Sequence, residues 1–294
     1  TRGISAVGMT PHNSPRLPFM IAALALWCTA LAILALARPA FAQSLSPEAL
    51  DTLPRADIVI LGEVHDNPVH HINQARAVAA LAPRALVWEM LTPEQAARMP
   101  QDRSDAQAVR AAIAWDDSGW PDFSLYHPIL LAAPDVPVYG GGVPRGTARR
   151  VFDEAAAGVF AGLFGAEADT LGLEKPLSPE DQAAREAGQA AAHCDALPEH
   201  LLPGMVAAQR LRDAALAHVA LEAWAETGGP VVVIAGTGHV RVDIGIPAYL
   251  RRAPAAPGVV SLGQMEEVPA ENAPYDFWIV TEPTSRPDPC EGLR

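Results

Sequence analysis

The stretch of residues 58–74, which reads IVILGEVHDNPVHHINQ, predicts a buried strand followed at once by a helix. Its first four residues, Ile58–Leu61, are apolar and mostly β-branched, as in strands that are buried on both faces. Asn67 or Asp66 can cap a helix that starts at Pro68, because a proline at the first helical position leaves no N–H unpaired. Three polar residues lie between the two elements: Glu63, His65 and Asp66. Since open α/β sheets bind ligands at the carboxyl ends of their strands, this stretch also predicts a functional site.

The first 42 residues have the features of a secretory signal peptide. Residues 18–37 are almost wholly apolar, follow a polar segment with arginines and no acid, and precede an A-x-A cleavage sequence at residues 40–42. The sequence therefore predicts cleavage after residue 42 and a periplasmic protein. A retained membrane anchor is the alternative, because the apolar run is long enough to span a bilayer. A lipoprotein anchor is disfavoured, since Trp27 before Cys28 is too large for the usual lipidation sequence.

The charge of the chain argues against two classes of partner. The formal net charge is −13 at pH 7, and the only charged residues in the predicted signal region are arginines, so the mature chain is more acidic still. Such a chain is not suited to bind nucleic acid or an anionic lipid surface. After cleavage we expect no stable membrane span. The mature part is long enough for one large domain or two small ones.

Further strands and helices are predicted along the rest of the chain. Three more apolar runs are short enough to be strands: residues 85–88, 136–139 and 230–235. Residues 145–227 are alanine-rich and mostly helical in pattern, which predicts an all-helical insertion. Residues 253–294 contain two β-like runs and end in a proline-rich tail, which we expect to be loosely ordered apart from its cysteine.

Two of these predicted strands are followed by polar residues of the same kinds as Glu63 and His65. Glu89 closes the run 85–88, and a G-x-x-H sequence that ends in His239 follows the run 230–235, as another does from Gly62 to His65. Two strands that end in the same turn can bring both imidazoles to one edge of a sheet. We therefore expect one cluster of four candidate catalytic or metal-binding residues: Glu63, His65, Glu89 and His239.

Three further polar residues are candidates for the same site. His71 lies near the site end of the helix that starts at Pro68. In the helix predicted over residues 203–226, Gln209 and Arg212 interrupt an apolar stripe, and buried polar groups need partners. One interpretation is that Gln209 and Arg212 point into the site. The other is that Arg212 forms a plain surface pair with Asp213.

Two cysteines remain after removal of the signal peptide, Cys194 and Cys290. In an exported protein such a pair favours one disulfide, which would tie the C-terminus to the middle of the chain. The alternative is two unpaired thiols, one of which binds a metal or haem.

Several motifs together resemble the ChaN-like haem-binding uptake proteins of the Tiki superfamily, which is related to TraB and erythromycin esterase-like proteins. The resemblance extends over roughly residues 45–252. The motifs are LGEVHDNP at 61–68, His70-His71 with Gln74, Glu89-Met90, SGWP at 118–121, Gln209 with Arg212-Asp213, and GTGH at 236–239.

The resemblance implies an α/β fold: an open, mostly parallel sheet with helices on both faces and a small all-helical subdomain, in a ChaN-like domain at residues 43–252. It also implies an exported bacterial protein of haem or iron handling, which holds haem between two subunits with a tyrosine as iron ligand. Tyr126 is the first candidate for that ligand because it follows the SGWP motif, and Tyr139 is the second. The other expected cofactor-binding residues are His71, Gln209 and Arg212.

Two functions are compatible with these residues, and they imply different partners. The first is a haem- or iron-binding protein of the periplasm, a homodimer around haem. The second is a metal-dependent peptidase or esterase, in which His65, His239 and one glutamate bind Zn, Mn or Fe while the other glutamate acts as general base. A metal-free form would use His65 as the base, oriented by Glu89. A third interpretation is a periplasmic scaffold whose cluster is only a hydrogen-bond network.

Overall fold

The computed structural model describes residues 1, 3, 42–165, 171–269, 272–288 and 290–291. The predicted signal peptide lies almost wholly outside these residues and stays a prediction. Residues 41–294 group into one compact unit, which carries every element described below. Within the described residues, no helix has both the length and the apolar character that crossing a bilayer requires.

The seven strands of the described residues form one open sheet in which every neighbouring pair is parallel. In chain order they are β1 (Gln43–Ser44), β2 (Ile58–Glu63), β3 (Ala85–Trp88), β4 (Val138–Gly140), β5 (Val231–Gly236), β6 (Val259–Met265) and β7 (Phe277–Val280). Across the sheet their order is β1-β7-β6-β2-β5-β3-β4. The α/β class and the parallel sheet are therefore confirmed.

Helices connect most of these strands, as is usual for parallel pairs, whereas the described residues between β6 and β7 contain no helix. The α-helices of the described residues are α1 (Pro68–Leu81), α2 (Pro93–Ala96), α3 (Ala106–Ala112), α4 (Phe123–Ala132), α5 (Arg145–Arg149), α6 (Ala156–Phe164), α7 (Pro179–Ala192), α8 (Leu202–Thr227) and α9 (Ile246–Leu250). Helices α5 to α8 lie within the stretch predicted as a helical insertion.

Alternate residues of the central strands feed two separate apolar cores, one on each face of the sheet. Ile58 and Ile60 of β2 belong to the core that contains the buried face of α8. Val59 and Leu61 of the same strand belong to the core that contains residues of α1 and α4. Burial on both faces is why the strand has an unbroken apolar sequence instead of an alternating one. Helices on both faces of the sheet are thereby confirmed.

Local sequence signals set the ends of the two helices that border the site. The side chain of Asn67 accepts a hydrogen bond from the N–H of Val69 at 3.0 Å and so caps α1, with Pro68 in its first turn. The long helix α8 ends at Gly228, whose φ of 73° is in the left-handed region that glycine adopts without strain. Both helices match the predicted ranges to within one or two residues.

The order of the strands decides which loops become neighbours. After the helical stretch, β5 returns to lie between β2 and β3, with Leu61 opposite Ile234 and Trp88 opposite the same residue on the other side. β6 pairs with the other edge of β2. The two β-like runs of residues 253–294 are thus β6 and β7, two strands of the main sheet.

A disulfide joins Cys194, just after α7, to Cys290 in the C-terminal tail, with 5.5 Å between their Cα atoms. It closes a loop of 96 residues in sequence. In the chain-entropy model a cross-link over such a loop lowers the entropy of the unfolded chain substantially.

We expect Cys290→Ser to lower the free energy of unfolding by about 2–4 kcal/mol, the usual contribution of a native disulfide. Urea unfolding of the oxidised protein and of the variant measures the difference. Dithiothreitol should bring the unsubstituted protein down to the stability of the variant and leave the variant unchanged. Equal stability of both proteins without reductant would contradict the prediction.

Candidate functional site

The site lies at the carboxyl edge of β2, β5 and β3, where the loops after these three adjacent strands meet. Glu63 ends β2 opposite Gly236 of β5, and Glu89 follows β3 on the other side of β5. This is the edge at which open parallel sheets bind ligands. Two clusters of carboxylate and imidazole groups lie here.

The first cluster is built on the carboxylate of Glu63, whose side chain is fully buried. Its Oε1 accepts hydrogen bonds from Nδ1–H of His65 at 2.8 Å and from the hydroxyl of Tyr126 at 2.9 Å. Its Oε2 lies 3.5 Å from Nδ1 of His71, whose Nε2–H donates to the backbone carbonyl of His65. Glu63 therefore sets the orientation of the His65 ring and presents its other nitrogen, Nε2, away from the carboxylate.

The second cluster is built on the imidazole of His239. Its Nδ1 donates to Oδ1 of Asp213 at 2.6 Å, and its Nε2 lies 3.2 Å from Oε1 of Glu89. The other oxygen of Glu89 accepts the backbone N–H of Gly236 at 2.7 Å. The amide of Gln209 lies 3.1 Å from Nδ1 of His239. An imidazole between two carboxylates is held as a charged imidazolium.

Gly236 separates the two clusters and lets them approach. A Cβ atom at this position would lie 2.8 Å from Nε2 of His65 and 3.6 Å from Oε2 of Glu89. The first distance is shorter than ordinary van der Waals contact, so any side chain here would displace the His65 ring. The glycine of the second G-x-x-H sequence is therefore needed for space beside His65.

The carboxylates govern the protonation of the imidazoles. Burial alone would lower the pKa of His239, but Glu89 and Asp213 outweigh burial and raise it to about 10. Burial raises the pKa of Asp213, whereas His239 and the Gly236 N–H lower that of Glu89 to about 2, so Glu89 is the better stabilised anion. Burial would also lower the pKa of His65, but its hydrogen bond to Glu63 raises it above the ordinary value.

The raised pKa of His239 makes the stability of the fold depend on pH. An unfolded histidine titrates near pH 6.5, so the stabilisation by the imidazolium is complete below about pH 6.5 and is lost as the pH rises through about 10. We expect the free energy of unfolding to decline over this range. In His239→Gln the decline should be smaller by the contribution of this group, as urea unfolding at several pH values would measure. Identical slopes in both proteins would contradict the assignment.

A cavity of about 730 Å³ opens beside the second cluster. Glu89, His239 and Gln209 form its floor together with residues of the glycine-rich stretch after β4. Trp120, from the SGWP motif, lines the cavity and also contacts the ring of His65, with 4.7 Å between ring centroids. Three arginines line it as well: Arg98, Arg145 and Arg212.

The C-terminal tail braces the loop that carries His65. Arg286 donates to both carboxylate oxygens of Asp66, each at 2.8 Å, and to Glu266. Asn67 donates to Glu266 at 2.8 Å, and a ring nitrogen of His70 lies 2.8 Å from the hydroxyl oxygen of Thr281. The prediction of a loosely ordered tail is wrong for residues 281–286, because these bidentate pairs fix them to the site loop.

A family model described as haem-binding uptake, Tiki superfamily, ChaN, matches residues 49–250. The match covers more than half of the chain and includes both G-x-x-H sequences. The chain belongs to this ChaN family. No protein with a curated description matches it.

Solved structures show which folds this ChaN-family chain is similar to. A structure described as cofacial heme binding to ChaN of Campylobacter jejuni is 19% identical, with a TM-score of 0.59 over 78% of this chain and 89% of that chain. The type III effector HopBA1 is 13% identical, with a TM-score of 0.43 over 77% and 88%. An erythromycin esterase, EreC, in its open conformation is 13% identical, with a TM-score of 0.40 over 71% and 70%. At these identities the first structure supports the shared fold alone.

The structure brings the four residues of the expected cluster to one edge of the sheet but divides them into two pairs, Glu63 with His65 and Glu89 with His239. Among the described residues, no group of three or more histidine, cysteine or acidic side chains is arranged to hold a metal ion. The expected divalent metal centre is therefore not supported. The physical reason is that the two imidazoles belong to separate clusters, one around Glu63 and one around Glu89 and Asp213, which do not converge on a common point.

The two candidate tyrosines lie away from the cavity lining. Tyr126 is completely buried, and burial together with the carboxylate of Glu63 raises the pKa of its hydroxyl. Tyr139 is on the edge strand β4, where it donates to Glu226 at 2.6 Å. Of the other expected cofactor-binding residues, Gln209 and Arg212 line the cavity, and His71 is buried behind Glu63.

Asp213 and Trp120 are site residues that the sequence argument did not assign. Asp213 is only 2% exposed and binds His239, so the interpretation of a surface pair with Arg212 is wrong. Its spacing of four residues from Gln209, which places both on one face of α8, is a signal that could have found it. Trp120 belongs to the SGWP motif, but its contact with His65 depends on the tertiary fold.

Proposed function

We propose that this chain is an exported haem- or iron-binding protein that acts in iron uptake. The observation that carries the proposal is the match of residues 49–250 to a family model described as haem-binding uptake. The similar Campylobacter jejuni structure is described as cofacial heme binding to ChaN, and we extend that ligand class to this chain.

The cavity and its surroundings fit such a cofactor in size and chemistry. Its volume of about 730 Å³ is within the range of sites for ligands of this size. Met90, Val143 and Leu216 supply apolar surface, while arginines provide cations for acidic substituents. A porphyrin needs both, because its ring is apolar and its propionates are charged.

His65 does not line the cavity itself but lies beside it, against Trp120, and its surroundings best fit those of an iron ligand. Its side chain is 32% exposed, and Glu63 holds its Nδ1–H while Nε2 has no hydrogen-bond partner among the described residues. A carboxylate that fixes one imidazole nitrogen and leaves the other free is the usual support of a metal-bound histidine. His239 does not fit this role, because both of its nitrogens are engaged with carboxylates.

Tyr126 fits the role of iron ligand less well than His65. A tyrosinate ligand needs a deprotonated oxygen, and the hydroxyl of Tyr126 is buried and donates its proton to Glu63. Tyr126 instead helps to position Glu63, and through it His65. When bound, haem would supply the iron centre, and the protein would orient the imidazole of His65, stack Trp120 beside it and bind the acidic substituents.

The first test is a paired measurement on the mature chain that begins at Gln43. Haemin is titrated while the Soret band is followed, and the same preparation is analysed for bound metals. A saturable Soret shift at one haem or fewer per chain supports the proposal. A titration that does not saturate, or that serum albumin removes completely at low concentration, would overturn it.

Export and assembly around haem are parts of the same proposal. The disulfide between Cys194 and Cys290 supports export, because such bonds persist in oxidising compartments. Fractionation of bacteria that express the full sequence, with mass spectrometry of the product, should give a periplasmic protein that starts at Gln43.

Light scattering with and without haemin should give a homodimer in the loaded state, and a monomer in both states would remove the dimer from the proposal.

A metal-free hydrolase is the second candidate, favoured by one observation. Glu63 orients His65 as an acid orients the base of a hydrolytic triad, which would leave Nε2 to take a proton from water. A panel of chromogenic carboxylic esters tests this candidate. Turnover that is absent, or that survives His65→Ala, would eliminate it.

A further inference from the structure

Several arginines of the described residues form ion pairs with carboxylates at the protein surface. These pairs are Arg76 with Asp51, Arg110 with Asp116, Arg150 with Glu154, Arg241 with Asp243, and Arg286 with Asp66 and Glu266. Other arginines of the described residues have no ion pair with a described carboxylate, although the chain carries a net charge of −13. The arginines of the cavity are of this second kind.

Arg212 and Arg145 line the cavity, and neither has a hydrogen bond or an ion pair with any described residue. Arg212 is half-buried on α8. Glu89 is within electrostatic reach of it, but both oxygens of Glu89 are already engaged, one by His239 and one by the Gly236 N–H. Burial lowers the pKa of Arg212; the charges of Glu89 and Asp213 oppose this shift, and the smaller effect of Arg145 adds to it. Arg145 is exposed and Arg212 is half-buried, so both guanidinium groups are open to an anion that enters the cavity.

The position of Arg145 ties this pair to the His65 side of the site. A Cβ atom on Gly119 would lie 3.1 Å from Nη2 of Arg145, so the guanidinium rests against the SGWP turn. The next residue in that turn, Trp120, contacts the His65 ring. One ligand could therefore reach both the imidazole and the guanidinium groups. Among the described residues that line the cavity, Asp117 and Glu89 are the carboxylates.

We propose that Arg145 and Arg212 form a subsite for the carboxylate groups of the ligand. For haem these groups are the propionates, and in this respect the inference rests on the proposed function. The planar guanidinium group suits carboxylates because it can donate two parallel hydrogen bonds. The subsite would fix the rotation of a porphyrin in the cavity and select against ligands without acidic substituents.

The test compares haemin with haemin dimethyl ester, whose propionates carry no charge, in the same detergent-containing buffer. Arg145→Gln and Arg212→Gln should each weaken haemin binding by about tenfold or more, the usual effect of losing a charged hydrogen bond. The ester should bind the unsubstituted protein and both variants equally. Arg241→Gln is the matched control, because Arg241 already pairs with Asp243 outside the cavity lining. Citrate, followed by calorimetry, serves as a probe of the subsite that is independent of iron.

The possible outcomes separate this inference from the proposed function. Haemin binding that is unchanged in both variants would overturn the subsite and leave haem binding intact. Citrate binding that both variants lose, without any specific haemin binding, would overturn the haem proposal and support the subsite. Absence of binding of haemin and citrate alike would overturn the subsite as well.

Discussion

Replacing His65 by alanine should abolish the specific Soret spectrum of the haemin-loaded protein. The variant removes the one imidazole that a buried carboxylate orients and that keeps a nitrogen free of described partners. Loss of an iron ligand weakens haem binding far more than loss of a peripheral contact, and we expect the affinity to fall by at least about two orders of magnitude, near 3 kcal/mol. Absorbance titration with haemin measures it.

Two comparisons make this result specific. His200→Ala removes an exposed histidine that lines none of the site and should leave the spectrum unchanged. Tyr126→Phe keeps the ring and removes the hydroxyl, so it should shift the Soret band only slightly if His65 is the ligand. A spectrum that survives in His65→Ala but is lost in Tyr126→Phe would reverse the assignment and make the tyrosine the ligand. Circular dichroism establishes that each variant is folded.

Asp213→Ala should give the largest loss of stability among single substitutions in the site. Asp213 is 2% exposed and binds Nδ1 of His239 at 2.6 Å, so its removal leaves a buried imidazolium with one carboxylate fewer. Breaking a buried ion pair by removing one partner costs about 3–5 kcal/mol. Urea unfolding at neutral pH, where the imidazolium of the folded protein is charged, measures the difference.

Two other aspartate variants serve as controls for this prediction. Asp213→Asn keeps the oxygen that accepts the Nδ1 proton but removes the charge, so it should cost less than the alanine variant. Asp243→Ala breaks an exposed pair with Arg241 and should cost no more than about 1 kcal/mol. If Asp213→Ala were no more destabilising than Asp243→Ala, the buried triad would not contribute to the stability of the fold.

Local sequence was sufficient to predict most individual elements. The β-branched run that begins at Ile58, the Asn67 cap with Pro68 behind it, and the glycine after α8 each act on the nearest few residues. Their effects do not depend on where the rest of the chain lies, so strand β2 and helices α1 and α8 appear nearly where the pattern places them. The pairing of Cys194 with Cys290 is present in the structure for a different reason, since only two cysteines lie in the described chain.

The division of the site was not visible in this way. Matching G-x-x-H sequences suggested that both imidazoles would share one centre, yet each is bound by a different carboxylate. Asp213 looked equally suited to the protein surface, because a single aspartate next to an arginine on a helix is most often a solvated pair. Only the packing of α8 against the sheet turns it toward His239.

Local patterns in the chain are enough to fix the class of this protein: its alternating strands and helices, the glycine turns that end β2 and β5, and the motifs of the ChaN family. The tertiary structure alone decided that β5 lies between β2 and β3, and that the tail beyond β7 braces the site loop. These contacts join residues far apart in the chain, such as Asp66 and Arg286. They form because the free energy gained by packing the whole sheet exceeds the entropy lost on closing long loops. No local sequence pattern contains that balance.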